Sequence, residues 1–467
     1  MVAVTPLLAA ALVHGVARET LHLAATGLAL FSLDDLAIDI IFFARAGWRR
    51  CTIYRVNNRS VAATLRRDSA AAMAILVPAW DESAVIGAML RDLINRLDYP
   101  SYRVFVGVYP NDPETREAVA TVTDPRIITV DCDRPGPTTK ADCLNHLWRA
   151  LVAEEMRGGE RFKAVVLHDA EDVVDPRELR VFDHLIGRLA MVQLPVLPLV
   201  DPASRWVSGH YLDEFAEAHG KDMVVREALG AAVPSAGVAC AIDRDMLGRI
   251  ADLAGGKPFD PNCLTEDYEI GIKIKALGGR GALVRIAGDA GGGVVATREH
   301  FPATIDTALR QKTRWLLGIA FGGWDRLGWG GGWADRFMLM RDRKVIVAAL
   351  LTLFGYAAMA LVLLDTLLAA IIPGAAKFTP LVAPGSLLAA TLMFTTSVLV
   401  WRLVMRAGFT ASVHGWREGL RAVPRVVVGN LINALAAWRA TFRYLAIRRG
   451  RAELTWDKTA HRFPGVE

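Results

Sequence analysis

Apolar residues crowd both ends of the chain, while between them short apolar runs alternate with helix-spaced patterns. From about Ala70 to Trp315, four segments have the character of strands: Ala71–Val77, Arg103–Val108, Arg126–Val130 and Ala164–Leu167. Helical stretches such as Ser83–Leu97 and Lys140–Glu155 lie between them. Strands alternating with helices predict an α/β fold, a parallel sheet with helices on both faces.

The ends predict membrane segments. The first 43 residues are mostly apolar and hold no Lys or Arg before Arg18, so they lack the basic start of a secretory signal. One transmembrane helix fits within Pro6–Phe43. Asp34, Asp35 and Asp39 would each cost about 2.5 to 3.5 kcal/mol at mid-bilayer, so their part is expected to face protein or the interface. Arg45, Arg49 and Arg50 then point the following segment to the cytoplasm. After Trp315, the Trp- and Gly-rich stretch Gly318–Trp333 has interfacial character. Val345–Ile372 and Ser386–Val404 read as two spans, with Lys377 between them and arginines outside. Asp365, inside the first, is expected to face another helix. Val427, Leu431, Leu435, Trp438, Phe442 and Leu445 form one apolar stripe. This predicts a helix lying in the interface, with a buried amphipathic helix as the alternative. The expected divisions are residues 1–69, 70–320 and 321–467.

Composition agrees with a polar domain between membrane segments: 53% hydrophobic, 22% charged, mean hydropathy +0.28. The net charge of +5 comes from Lys and Arg beside the apolar segments. No basic run is interleaved with aromatics, so no nucleic-acid partner is expected. Five cysteines without metal-ligand spacing read as reduced thiols.

Candidate chemistry clusters at element ends. The run Ala164-Val-Val-Leu-His ends in Asp169, Glu171 and Asp172. Ligands of open α/β sheets bind beyond the carboxyl ends of strands, where such carboxylates suit a hard divalent cation; a polar turn before the next helix would look the same. Pro78, Asp81 and Glu82 close the first strand. Lys140 and Asp142 open a helix after a Gly-led turn, in a position suited to a diphosphate or simply to capping. Glu266 and Asp267 stand at a loop–helix junction, fit either for general-base work or for complementing the helix dipole. Gln311, Arg314 and Trp315 close the domain, where Arg and Trp serve phosphate and sugar recognition or interface anchoring.

In this order the motifs resemble those of the family 2 glycosyltransferases, particularly the processive membrane polysaccharide synthases. The metal motif corresponds to Asp169-Ala-Glu171, the Thr-Glu-Asp motif to Thr265–Asp267, and the Gln-x-x-Arg-Trp motif to Gln311–Trp315. The Lys-Ala-Asp-x-Leu-Asn element corresponds to Lys140–Asn145 and the Pro-x-x-Asp-Glu element to Pro78–Glu82. Tyr109 to Asp112, His168 to Asp172 and Trp456 to Phe463 are similar to a branch of inner-membrane transferase subunits from phage-adsorption systems.

The resemblance implies a Rossmann-like (GT-A) domain flanked by transmembrane and interfacial helices in a bacterial inner membrane. It further implies a metal-dependent inverting transfer from a nucleotide sugar, UDP-linked, to a growing glycan. Asp81 would hold base or ribose, and Asp169 with Glu171 or Asp172 would hold Mg²⁺ or Mn²⁺. Asp267 would be the base, Trp315 would stack on the acceptor and Arg314 would stand near the diphosphate, with Ser235 to Gly237 on the acceptor side. An outer-membrane partner protein is a further expectation. Fuller-length members carry a C-terminal domain associated with cyclic-di-GMP control, which is not expected for this polypeptide. Two alternatives remain: a catalytically silent subunit of a surface receptor or secretion assembly, and a non-processive transferase to a lipid-linked acceptor.

Overall fold

The computed structural model describes residues 6–65, 70–289, 292–451 and 462–464. Most of the motif from Trp456 to Phe463 therefore lies outside the described residues. The described residues include nine strands: β1 (Met73–Pro78), β2 (Tyr102–Val108), β3 (Ile127–Asp131), β4 (Ala164–Leu167), β5 (Met191–Gln193), β6 (Val196–Pro198), β7 (Cys240–Asp243), β8 (Gly281–Leu283) and β9 (Thr297–Glu299). Seven form one sheet in the order β3-β2-β1-β4-β7-β5-β8, and β6 pairs with β9 apart from it. The expected parallel sheet is present, with one antiparallel strand in it. β7 runs antiparallel to both β4 and β5, whereas the other pairings are parallel. Each of β5 and β8 is only three residues long, too short to show a period from sequence.

Side-chain alternation builds the two faces of the sheet. Met73, Ile75 and Val77 pack with Ile86, Met89, Leu90 and Leu93 on one side. Ala74 and Leu76 pack with Leu144, Leu147 and Leu151 on the other. Gly107 of β2 lets the second layer close, since a Cβ there would lie 2.3 Å from Cys143 Sγ. The helix Lys140–Gly158 starts where the Thr139 side chain accepts from the Asp142 amide at 3.2 Å, and stops at Gly159 with φ of 69°.

This topology places the site. Strand order runs from β3 to β1 and then jumps to β4, so the switch point lies between β1 and β4. The two are parallel and in register from Met73–Ala164 to Leu76–Leu167. Their carboxyl ends therefore deliver Pro78–Glu82 and His168–Asp172 side by side.

The N-terminal helix is one unbroken element, Pro6–Cys51, longer than the single span expected. It is not one of the helices long and apolar enough to cross a membrane, which among the described residues are three: Trp333–Ile371, Leu387–His414 and Trp416–Arg448. The last contains the stripe expected to lie in the interface, and it is the most buried of the three.

The acidic residues of these helices face partners. Lys344 Nζ bonds Asp34 Oδ1 at 2.5 Å, and Arg341 Nη1 lies 2.9 Å from Asp35 Oδ1. Asp39 accepts from Lys221 Nζ at 2.5 Å and from Trp401 Nε1 at 2.8 Å. His14 Nδ1 lies 3.1 Å from Asp365 Oδ1. The cost of placing these carboxylates in apolar helices is thus met by protein.

The final helix is tied to the sheet domain by Arg425, which is fully buried. Its Nη2 and Nε donate to Asp213 Oδ1 and Oδ2 at 2.7 and 3.0 Å, and Nη1 donates to Glu418 at 2.7 Å. Removing one partner of a buried pair strands the other. Arg425→Ala is therefore expected to destabilise the protein by about 3–5 kcal/mol, seen as a lowered unfolding midpoint in detergent.

Candidate active site

A single cavity opens beyond the carboxyl end of β4. Its walls include Pro78, Glu82, Lys140, Asp169, Glu171, Glu266, Asp267, Gln311, Arg314 and Trp315. These residues come from five motifs spread over more than half the chain, and the fold brings them to one place.

Asp169 leaves β4 with its Oδ1 2.5 Å from Lys140 Nζ, at the start of the Lys140–Gly158 helix. Burial disfavours the charge on Lys140, but Asp169, Glu266 and Asp267 outweigh it and raise its pKa. Glu266 and Asp267 form the first turn of the helix Glu266–Ala276. Burial and the adjacent Asp267 push the Glu266 carboxyl up to about 7. Burial also raises Asp267, against the opposing field of Lys140 and with a smaller opposing contribution from Arg314. Gly237, with φ of 82°, lets the chain pass close to this carboxylate; a Cβ there would stand 2.8 Å from Asp267 Oδ2. Ser235 donates its amide to the Asp267 carbonyl at 3.2 Å, and Ala236 lines the cavity.

The far wall is aromatic. Trp315 is half-buried against Tyr211 and Phe215, at centroid distances of 6.1 and 6.3 Å. Phe301 packs on Tyr211 at 4.7 Å. Beside them, the buried Oε1 of Gln311 and Oγ1 of Thr265 have no hydrogen-bond partner among the described residues. Unpaired buried polar atoms are costly in a folded protein, and here two of them belong to residues that line the cavity.

Four expected site residues, Asp81, Asp112, Asp142 and Asp172, stand outside the lining. Asp172 Oδ2 accepts from the Asp169 amide at 3.0 Å and lies 2.7 Å from His168 Nδ1, whose Nε2 meets Glu178 at 2.8 Å. Burial opposes a charge on His168, yet Glu178 and Asp172 prevail and raise it to about 10. Asp172 is thus engaged in holding the loop after β4, leaving Glu171 as the second cavity carboxylate. Asp142 meets Arg134 at 3.1 Å. Asp112 caps the helix Pro113–Ala120 and accepts from the Asp81 amide at 2.5 Å. Asp81 has φ of 55°, a strained conformation for a residue other than glycine. The Asp112 bond, with that from the Glu82 amide to Thr115 at 2.9 Å, holds the turn that places Glu82 in the wall. Asp81 itself is exposed beside it.

Glu299, at the end of β9, lines the cavity and was not expected. Burial, followed by Asp172, Glu171 and Asp169, raises its carboxyl well above the usual range. Its signal was faint, because β9 is three residues long and pairs outside the main sheet. Phe215 and Phe301 were also missed; their role depends on tertiary packing.

The family model described as "Glycosyltransferase like family 2" matches residues 70–318. The chain belongs to that family. It is 37% identical over 451 residues to "Bacteriophage adsorption protein B" of Escherichia coli (strain K12) and to "Bacteriophage N4 adsorption protein B" of Escherichia coli O157:H7. The match covers 93% of this chain and 60% of each relative. Among solved structures, the mannosyltransferase PcManGT from Pyrobaculum calidifontis, in complex with GDP-Man and Mn²⁺, is 17% identical with a TM-score of 0.47, covering 89% of this chain and 99% of its own. Glucosyl-3-phosphoglycerate synthase from Mycobacterium tuberculosis is 16% identical with a TM-score of 0.32, covering 54% and 79%. The family 2 resemblance expected from sequence is borne out by the family model and the two relatives, and the α/β fold by the sheet described above.

The cap at Asp112 gives a direct check on how the Asp81 turn is held. Asp112→Ala removes the helix cap, a loss of about 1 kcal/mol, and frees the Asp81 amide. The variant is expected to unfold at lower temperature and to bind nucleotide more weakly, as read by calorimetry and equilibrium binding.

Proposed function

We propose that this protein is a membrane-embedded, inverting glycosyltransferase that moves a sugar from a UDP-linked nucleotide sugar to a growing glycan and passes the product to the membrane helices. The observation that carries this reading is the convergence of Lys140, Asp169, Glu171, Asp267, Gln311, Arg314 and Trp315 on one cavity. Its placement in the inner membrane, with the sheet domain in the cytoplasm, follows from the arginines that flank the apolar helices.

The carboxylates of Asp169 and Glu171 are hard oxygen donors suited to Mg²⁺ or Mn²⁺. Among the described residues no three His, Cys, Asp or Glu side chains gather as a ready-made metal site. That suits a cation taking its remaining ligands from diphosphate and water, as Mg²⁺ commonly does. When bound, such a cation would stabilise the charge on the departing diphosphate. Lys140 and Arg314 add positive charge on the same side. Asp81 and Glu82 hold base or ribose at the rim. Asp267 takes the proton from the acceptor hydroxyl, which then attacks the anomeric carbon from the face opposite the leaving group and inverts it. Glu266 keeps the proton affinity of the pair high. Gln311 Oε1 accepts from a sugar hydroxyl, and Trp315 offers its ring face to the acceptor.

The adsorption-protein relatives favour a second reading, in which the chain serves a surface receptor assembly together with, or instead of, catalysis. The chain spans 60% of their length, so a role of the longer proteins with an outer-membrane partner is part of this second reading. A transferase acting once on a lipid-linked acceptor would use the same cavity and is distinguished by a single-sugar product.

Nucleotide release from detergent-purified protein, across a panel of sugar nucleotides with Mg²⁺ or Mn²⁺, tests the proposal. Release from one donor, abolished by EDTA, is the expected outcome; silence across the panel with nucleotide still bound favours the receptor reading. Asp267→Asn is expected to abolish transfer while nucleotide binding survives, and loss of binding would make Asp267 structural. Protonating the base stops its function, so the rate should fall as pH drops through a limb above the ordinary aspartate value of about 3.9. A pH–rate profile locates that limb.

A further inference from the structure

A second, larger cavity lies where the N-terminal helix leaves the apolar region. Its volume is about 790 Å³, within the range of small-molecule sites, and none of its lining residues belongs to the transferase cavity. Five arginines from separate parts of the chain line it. Arg45 and Arg49 close the Pro6–Cys51 helix, and Arg59 follows the short helix Ile53–Val56. Arg188 precedes β5 and Arg285 follows β8. Glu227 is the single carboxylate among the described lining residues, and its ion pair, at 3.9 Å, is with Arg280 outside the lining.

Several arginines elsewhere in the sheet domain and its flanking helices are paired with carboxylates. Arg244 meets Glu155 at 2.6 Å, Arg326 meets Glu269 at 2.5 Å and Arg425 meets Asp213 at 2.7 Å. In the second cavity, none of the five forms a close ion pair with a carboxylate among the described residues; the one lining carboxylate, Glu227, feels the field of Arg45 and, more weakly, of Arg49, so five positive charges face one negative. Arg49 and Arg59 lie 5.1 and 4.5 Å from the centre of the Tyr54 ring, which holds two like charges at one side chain. Arg188 donates to the His184 carbonyl at 2.9 Å and Arg285 to the Gly220 carbonyl at 3.1 Å. These contacts orient the guanidinium groups without neutralising them. Burial and the positive field of Arg59 lower the Arg285 pKa. A concave wall that gathers like charges and leaves them unpaired repels itself unless an anion is bound. Planar guanidinium forks match phosphate oxygens in particular.

We propose that this cavity is a second ligand site that binds a phosphate-bearing anion through Arg45, Arg49, Arg59, Arg188 and Arg285. The phosphate comes either from an anionic lipid headgroup or from a soluble phosphate compound. Exposed Trp48 and Arg50 beside Arg49 put the cavity at the depth where headgroups lie.

The test uses the full chain in neutral detergent without divalent metal. An Asp169→Asn background separates the response from the transferase cavity. Unfolding temperature is followed during titration with inorganic pyrophosphate and, separately, with phosphatidylglycerol in mixed micelles, with phosphatidylcholine as the control lipid. The expected result is saturable stabilisation by pyrophosphate or phosphatidylglycerol but not by phosphatidylcholine. Arg59→Gln with Arg188→Gln should weaken the apparent affinity by at least about tenfold. A response confined to phosphatidylglycerol assigns the lipid source, and a response to pyrophosphate assigns the soluble one. Both side chains are exposed, and the ligand-free unfolding temperature checks the fold; if the double variant does not fold, Arg188→Gln alone carries the comparison. The proposal is overturned by absence of any response, by equal stabilisation from phosphatidylcholine, or by an undiminished response in the arginine variant.

Discussion

The transferase cavity is organised by an excess of buried negative charge around one lysine. Asp169, Glu171, Glu266, Asp267 and Glu299 line a single space, and Lys140 is the buried cation that Asp169, Glu266 and Asp267 all favour. Carboxylates so placed cannot all hold full charge without cost. Glu266 and Glu299 respond by rising towards the protonated form. The arrangement is therefore incomplete in electrostatic terms: it is suited to a substrate that arrives with cations and departs with negative charge. It also separates roles. Asp169 is held to Lys140, whereas Asp267 sits against Gly237 with Arg314 near enough to moderate its charge.

What the sequence could and could not reveal follows from the range of the interactions. β4 was readable to the residue, because four consecutive apolar side chains end abruptly at His168. β1 to β3 were readable to within about two residues. The antiparallel turn of β7 was not, since strand direction depends on which loop returns the chain and short strands carry no directional signal. The motif residues Lys140, Asp169, Glu171, Asp267, Gln311, Arg314 and Trp315 were found in sequence because their chemistry concentrates at element ends. Asp172, Asp112 and Asp142 carried the same chemical signal but serve the loops, and only geometry separates a carboxylate that caps a backbone amide from one that faces a cavity. Glu299 was hidden for the converse reason: its importance lies wholly in contacts made across the fold.

The charged residues of the apolar helices join the two halves of the molecule. The helix Gly209–Glu217 bears Tyr211 and Phe215 of the aromatic wall, and also Asp213, which receives Arg425 from the last helix and Thr410 Oγ1 from the one before it. Glu217, at the end of the same helix, meets Arg402 Nη1 at 3.1 Å and Lys221 at 2.8 Å. Lys221 in turn reaches Asp39 on the N-terminal helix. Each pair is partly or wholly shielded from water, so partner and geometry are specified more tightly than surface charges would be.

It follows that the aromatic wall is positioned by the apolar helices as much as by the sheet. The carboxylates of Asp169 and Glu171 depend on β4 and the loop fixed by Asp172, deep in the α/β core. Tyr211, Phe215 and Trp315 depend on a helix whose acidic residues are gripped from the membrane side. The acidic and the aromatic walls therefore rest on two different scaffolds that meet at the cavity. A relative shift of the helices would move the ring of Trp315 and its neighbours while leaving Asp169 and Lys140 in place. That division lets one wall of the cavity respond to the apolar helices while the other keeps its geometry.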